Sequence, residues 1–111
     1  MTQKGEKPEN DPIESKLVRE DPSFADIVLD FVQGLERRIQ RMEEAIQEHD
    51  LEALRQAAHQ LKGSGGGYGY PALTERAATL ERQAKAKALD DCRKTLDELR
   101  ELCQRLVVQI E

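Results

Sequence analysis

His59 and Lys62 stand three residues apart in the stretch AAHQLKGSGGGYGYPALTE, residues 57–75, and they are the residues here best suited to chemistry. An imidazole nitrogen is a nucleophile that also titrates near neutral pH. A lysine one turn away can neutralise a phosphoryl group attached to that ring. On a helix, positions three, four and seven residues from His59 share its face. They are Glu52, Arg55, Gln56, Lys62, Gly63 and Gly66, and none is apolar. The spacing therefore predicts an imidazole turned to solvent rather than a histidine satisfied inside a core.

The glycines that follow need a reason, because a mid-helix glycine costs about 1 kcal/mol relative to alanine. Gly63, Gly65, Gly66, Gly67 and Gly69 crowd into seven positions. Gly63 and Gly66 are expected to leave a bare patch beside His59, where a second macromolecule can bring its backbone close. Gly65 faces inward and admits a neighbouring helix. Gly67 and Gly69 are expected to make the turn into a helix opened by Pro71. Arg55, Gln56 and Gln60 complete the candidate docking surface, with either glutamine a possible hydrogen-bond partner near the ring.

Other reactive types carry less. His49, in the helix-ending EHD, has no Asp, Glu or Cys at a spacing that would join it to His59 on a metal. Cys92 and Cys103 are eleven residues apart in one helical pattern, roughly 16 Å at 1.5 Å per residue. A disulfide needs Cα atoms within about 7 Å, so both are read as core thiols. Glu43, Glu44 and Glu48 read first as a solvated acidic face and second as a docking patch, and Tyr68 as packing at the end of the bundle.

The elements that position these residues are helical. Leu, Ala, Glu, Gln, Arg and Lys dominate the 111 residues, and Trp is absent. No segment alternates with period two as strands do. Residues 1–12, with Gly5, Pro8 and Pro12, read as a disordered polar tail before a domain spanning 13–111. A short amphipathic piece, PIESKLVRE, comes next. Asp21 and Pro22 then carry helix-start chemistry. Phe24, Ile27, Phe31, Leu35, Ile39, Met42 and Ile46 form one apolar stripe, with a bend or break expected at Gly34. Asp50 caps the next helix, whose buried face is Leu51, Leu54, Ala58, Leu61 and Gly65. Leu73, Ala77, Leu80 and Ala84 mark another, with a soft boundary near residues 85–89. Leu89, Cys92, Leu96, Leu99, Cys103, Leu106 and Ile110 hold the last. Each stripe needs a partner, so the pattern predicts an all-α fold: an antiparallel, up-down-up-down four-helix bundle with a short extra N-terminal helical segment. The last stripe could pair two chains as a coiled coil, but a bundle buries it within a monomer.

Composition excludes several classes. Net charge is −5 with both signs mixed along the chain, so no basic footprint for nucleic acid is present. No run approaches the roughly 20 apolar residues of a membrane span, and the polar N-terminus lacks a signal-peptide core. The expectation is a cytoplasmic protein.

AHQLKGSGGGYGYPAL resembles the signature of histidine-containing phosphotransfer (HPt) domains. That pattern is Ala-His-x-apolar-Lys-Gly-small-small, then a glycine ten residues after the histidine and an apolar residue four beyond. His59, Lys62, Gly63, Gly69 and Leu73 meet it in register, and the resemblance extends over about residues 13–110. It implies a phosphorelay carrier: His59 takes a phosphoryl group, on Nε2, from the aspartate of a response-regulator receiver domain and returns it to another receiver. Lys62 would steady the phosphoryl charge and Gly63 would permit docking. A hybrid histidine kinase would belong to the same pathway. No cofactor is implied for this chain, since the Mg²⁺ that assists transfer would sit in the receiver, and no ATP-binding motif is present. Two other readings stand beside it. One is a helical adaptor that binds receivers without transfer. The other is the phosphorylated end domain of a chemotaxis-type kinase, less simple for a chain that starts at Met1 without kinase or dimerisation segments.

Overall fold

The computed structural model describes residues 11–109. Most of the expected tail, and Ile110 of the last stripe, lie outside the described residues. Six helices account for most of the rest: α1 (Lys16–Glu20), α2 (Ala25–Gln33), α3 (Leu35–Gln47), α4 (Leu51–Gly67), α5 (Pro71–Lys85) and α6 (Leu89–Arg105). A 3₁₀ turn, Pro22–Phe24, precedes α2. Asp21 caps it as expected, its carboxylate accepting from the Ser23 N–H at 3.0 Å. The apolar run from Phe24 to Ile46 does break at Gly34, into α2 and α3.

Four helices enclose the core, because α3 packs on α4 and α6, and α5 packs on the same two. Leu35, Ile39, Met42 and Ile46 of α3 meet Leu54, Ala58 and Leu61 of α4. Leu73, Ala77, Leu80 and Ala84 of α5 and Cys92, Leu96 and Leu99 of α6 join them, and Val28 and Phe31 of α2 belong to the same cluster. Burying each leucine contributes about 1.5–3 kcal/mol. The thiols of Cys92 and Cys103 are free. Burial pushes Cys103 up to about 11.

Some positions differ from the stripes. Phe24 and Ile27 are exposed, Ile27 by 53%, while Val28 is fully buried. Val28, Phe31 and Leu35 also stand three and four residues apart, and this set rather than the one through Ile27 faces inward. In α6, Leu102 is buried and Cys103 only half-buried. The helix stops at Arg105, and Leu106 is already extended. Glu43 is not simply solvated, since it pairs with Arg100 across to α6.

Three connections of three residues each join α3 to α4, α4 to α5 and α5 to α6, and all use one device. The residue after the cap is left-handed: His49 at φ 57°, Gly69 at φ 94° and Lys87 at φ 58°. The two N–H groups after each cap bond back into the helix just ended, as in a Schellman motif. The pairs are His49 to Ile46 and Asp50 to Ala45, Gly69 to Gly66 and Tyr70 to Gly65, Lys87 to Ala84 and Ala88 to Gln83, all at 2.8–3.1 Å. Gly67, expected in the turn, is instead the last residue of α4. Only Gly69 makes that turn.

Two short strands also appear that no alternation announced. β1 (Ile13–Glu14) pairs in parallel with β2 (Leu106–Val107), Ile13 opposite Leu106 and Glu14 opposite Val107. Around them, Arg105 Nε donates to the Asp11 carbonyl at 2.9 Å, and Gln109 Nε2 to that of Ser15 at 2.9 Å. Tyr70, not Tyr68, is the fully buried tyrosine, and its hydroxyl donates to the Val107 carbonyl at 2.7 Å. Tyr68 packs at the end of α4, stacked on Phe31 with ring centroids 4.3 Å apart.

Candidate functional site

α4 carries His59 because Asp50 starts the helix cleanly, its carboxylate accepting from the Ala53 N–H at 3.0 Å. Leu54, Ala58 and Leu61 then bury one face. That phase turns His59 outward, with 61% of its side chain exposed. Lys62, one turn on, is 37% exposed. An alanine Cβ at Gly63 would meet nothing within 4 Å, so this part of the face is open as expected.

The ring has a partner that the sequence did not single out. Glu81 of α5, its side chain only 7% exposed, places Oε2 2.9 Å from His59 Nδ1 and Oε1 2.7 Å from Lys62 Nζ. One carboxylate thus holds both residues. The Lys62 ammonium holds Glu81 down at about 2, against the upward push of burial, and the His59 ring adds to the lowering. Glu81 is therefore a carboxylate at neutral pH and can only accept. The proton of the neutral ring must sit on Nδ1, which leaves the Nε2 lone pair free at the exposed edge. A signal for Glu81 was present: it lies four residues after Ala77 and three before Ala84, a charge set on the apolar stripe of α5. Buried carboxylates are paired, and on this helix the partners had to come from a neighbour.

Neither candidate glutamine reaches the ring. Gln56 Nε2 donates to Glu52 at 3.1 Å, beside Arg55, which forms a 2.6 Å ion pair with the same carboxylate. Gln60 is exposed, and its carbonyl accepts from the Ser64 hydroxyl at 3.0 Å. Gly66 is not bare either. Its N–H donates to Thr74 Oγ1 at 2.7 Å, and that hydroxyl donates to the Lys62 carbonyl at 2.8 Å. Those two backbone groups are the partners of one rung of the helix ladder, and the Thr74 hydroxyl serves both. A Cβ on Gly65 would come within 3.0 Å of the Thr74 backbone nitrogen and 3.1 Å of Leu73 Cβ. Gly65 thus admits α5, as expected, and Gly66 shares that task. Pro71 opens α5 at its first position, where no N–H is needed.

An exposed nucleophilic nitrogen, a buried anion that fixes its tautomer and a cation in reach suit transient covalent capture of an electrophile. The Hpt domain family model matches residues 26–109. The chain belongs to the Hpt domain family. No curated protein and no solved structure matches it. The family places this Hpt domain in two-component phosphorelays, in a phosphotransfer role alongside response-regulator receiver domains. The match begins at Asp26, so β1, α1 and the 3₁₀ turn lie ahead of the family's span. Among the described residues no helix of this Hpt domain is long and apolar enough to cross a membrane, and no three His, Cys, Asp or Glu side chains gather as a metal site.

Proposed function

We propose that this Hpt domain is a phosphorelay intermediate that carries a phosphoryl group on Nε2 of His59 between aspartates of receiver domains. The observation that carries the reading is the hydrogen bond from His59 Nδ1 to the buried Glu81 carboxylate. The Nε2 lone pair attacks the phosphorus of the receiver's aspartyl phosphate. The P–O bond to the aspartate breaks and the carboxylate leaves. Nε2 carries no proton, so none has to be removed. The positive charge that develops on the ring is balanced by Glu81, which also keeps the ring oriented. Lys62, paired with Glu81 and one turn from His59, would meet the incoming phosphoryl oxygens. Return transfer reverses each step. Mg²⁺, where it assists, belongs to the receiver's acidic pocket.

The same reading makes residues 13–111 one domain, a monomer in the cytoplasm built as an up-down-up-down four-helix bundle, served by a hybrid kinase. The three-residue connections between α3, α4, α5 and α6 support that topology, since short links make sequential helices antiparallel neighbours.

The test is transfer from a phosphorylated receiver to the wild type and to His59→Gln. The wild type is expected to gain an acid-labile, alkali-stable label, as a phosphoramidate is, and the variant none. Equal labelling of both would remove His59 from the role. Gly63→Leu is expected to slow receiver exchange about tenfold or more while the fold is retained, because the open face beside His59 is filled. Unchanged exchange would take Gly63 out of the docking surface.

A further inference from the structure

The glycine face of α4 continues past His59 into a recess of about 370 Å³, and its far wall is α1. Lys16, Leu17 and Glu20 line one side, Gly66 and Gly67 the other. Gly67 has no internal reason to be glycine. It is helical rather than left-handed, and a Cβ there would meet nothing within 4 Å. The glycine weakens the last turn of α4 and leaves an open floor. Lys16 and Glu20 are exposed at the rim, and neither forms an ion pair among the described residues.

The wall itself is fixed. The Lys16 N–H donates to the Gly69 carbonyl at 2.9 Å, and the fully buried Ser15 hydroxyl donates to the Tyr68 carbonyl at 2.7 Å while accepting from the Val18 N–H. The approach is so close that a Cβ on Gly69 would fall 2.4 Å from Ser15 Oγ and 2.5 Å from the Leu17 nitrogen. The pairing of β1 with β2 holds the segment from its other end. A wall held this way is pre-organised, so little ordering is required when a partner arrives.

We infer that α1, ahead of the family's span, is a partner-selecting element, and that the recess between α1 and Gly67 receives a protruding loop of the receiver domain docked at His59. The inference rests on the proposed phosphorelay function. Size favours a receiver as the occupant. A protein–protein interface of ordinary size covers about 800 Å² on each partner, a disc roughly 16 Å in radius. Gly67 is eight residues beyond His59 on the same helix, roughly 12 Å along its axis. Gly63 is open between the two, and Gly66 adds no side chain of its own, the Thr74 hydroxyl lying against its N–H. A receiver seated on His59 therefore extends over the recess, where Lys16 and Glu20 meet whatever charges its loop presents. Rim charges of this kind discriminate among partners more than they add affinity.

The experiment compares the wild type with Gly67→Leu and Lys16→Glu in exchange with a panel of phosphorylated receivers. Labelling by phosphoramidate, a small donor that needs no docking surface, reports on His59 alone. Gly67→Leu is expected to retain phosphoramidate labelling and to lose about tenfold in receiver exchange through KM rather than the saturated rate. Lys16→Glu is expected to change the rank order of the receivers. If Gly67→Leu fails to fold by circular dichroism, Lys16→Glu carries the test, because its side chain has no ion-pair partner to lose among the described residues. Exchange within about twofold of wild type for every receiver, in the folded variants, overturns the inference while His59 keeps its role. A wild type that takes phosphoramidate label yet exchanges with no receiver overturns the phosphorelay reading, and this inference with it.

Discussion

Glu81 decides how His59 can react. A carboxylate at Nδ1 fixes the tautomer and orients the ring, and it would stand opposite the positive charge that the proposed phosphorylation creates. Glu81→Gln retains an amide oxygen that can accept from Nδ1–H but removes the charge. Phosphoramidate labelling of His59 should fall about tenfold or more in this variant, with Glu81→Ala lower still. Equal rates in all three proteins would reduce Glu81 to a packing residue. The same group has a signature in stability. Its folded pKa, about 2, lies below the ordinary 4.5, so its contribution is present above about pH 4.5 and is lost as pH falls through about 2. The difference in melting temperature between wild type and Glu81→Gln should therefore shrink across that window. His59 and Lys62 were legible in the sequence because both lie on one short segment of one helix. Glu81 was not, because it joins them only through the contact of α4 with α5, and a single sequence shows the spacing within a helix but not the register between two.

At the scale of elements, the glycine run separates into parts with different jobs. Gly63 and Gly67 have space for a Cβ, so alanine at either should raise stability by about 1 kcal/mol. Gly65 does not, since a Cβ would meet the α5 backbone at 3.0 Å, and Gly65→Ala should destabilise by about 1–3 kcal/mol. Thermal melts of the three variants check both signs together. The sequence showed that these glycines were costly and that Gly65 faced a neighbour. It could not show that Thr74 approaches from α5 to serve the Lys62 carbonyl and the Gly66 N–H. The Schellman turns make a similar case. Gly69 was recognisable as a turn residue, whereas His49 and Lys87 occupy the same left-handed position with ordinary side chains. That conformation costs an L-residue about 1–2 kcal/mol, and glycine loses back about 0.5–1 in the unfolded chain. Lys87→Gly should thus raise stability by up to about 1.5 kcal/mol, read as a higher denaturant midpoint. A lower midpoint would mean that the Lys87 side chain contributes to the turn.

Over the whole molecule, reactivity and stability occupy opposite faces of the same helix. The stripes of α3, α4, α5 and α6 were readable because each repeats over several turns, and together they build the core. The clasp of β1 on β2 was not, since two-residue strands have no period to read and depend on both ends of the domain already lying side by side. What the clasp holds in place, α1, borders the face that His59 shares with the open glycines. That division of labour makes a paired prediction. His59 is mostly exposed, and His59→Gln should leave the melting temperature within a few degrees of wild type while abolishing the label. Leu61, two residues on, is 0% exposed at the centre of the core. Leu61→Ala should cost about 2–5 kcal/mol, a large part of the roughly 5–15 kcal/mol that holds a domain together. At a temperature where Leu61→Ala is still folded by circular dichroism, its His59 should take label from phosphoramidate at close to the wild-type rate. A slow reaction in folded Leu61→Ala would mean that the core sets the position of the imidazole as well as the stability of the fold.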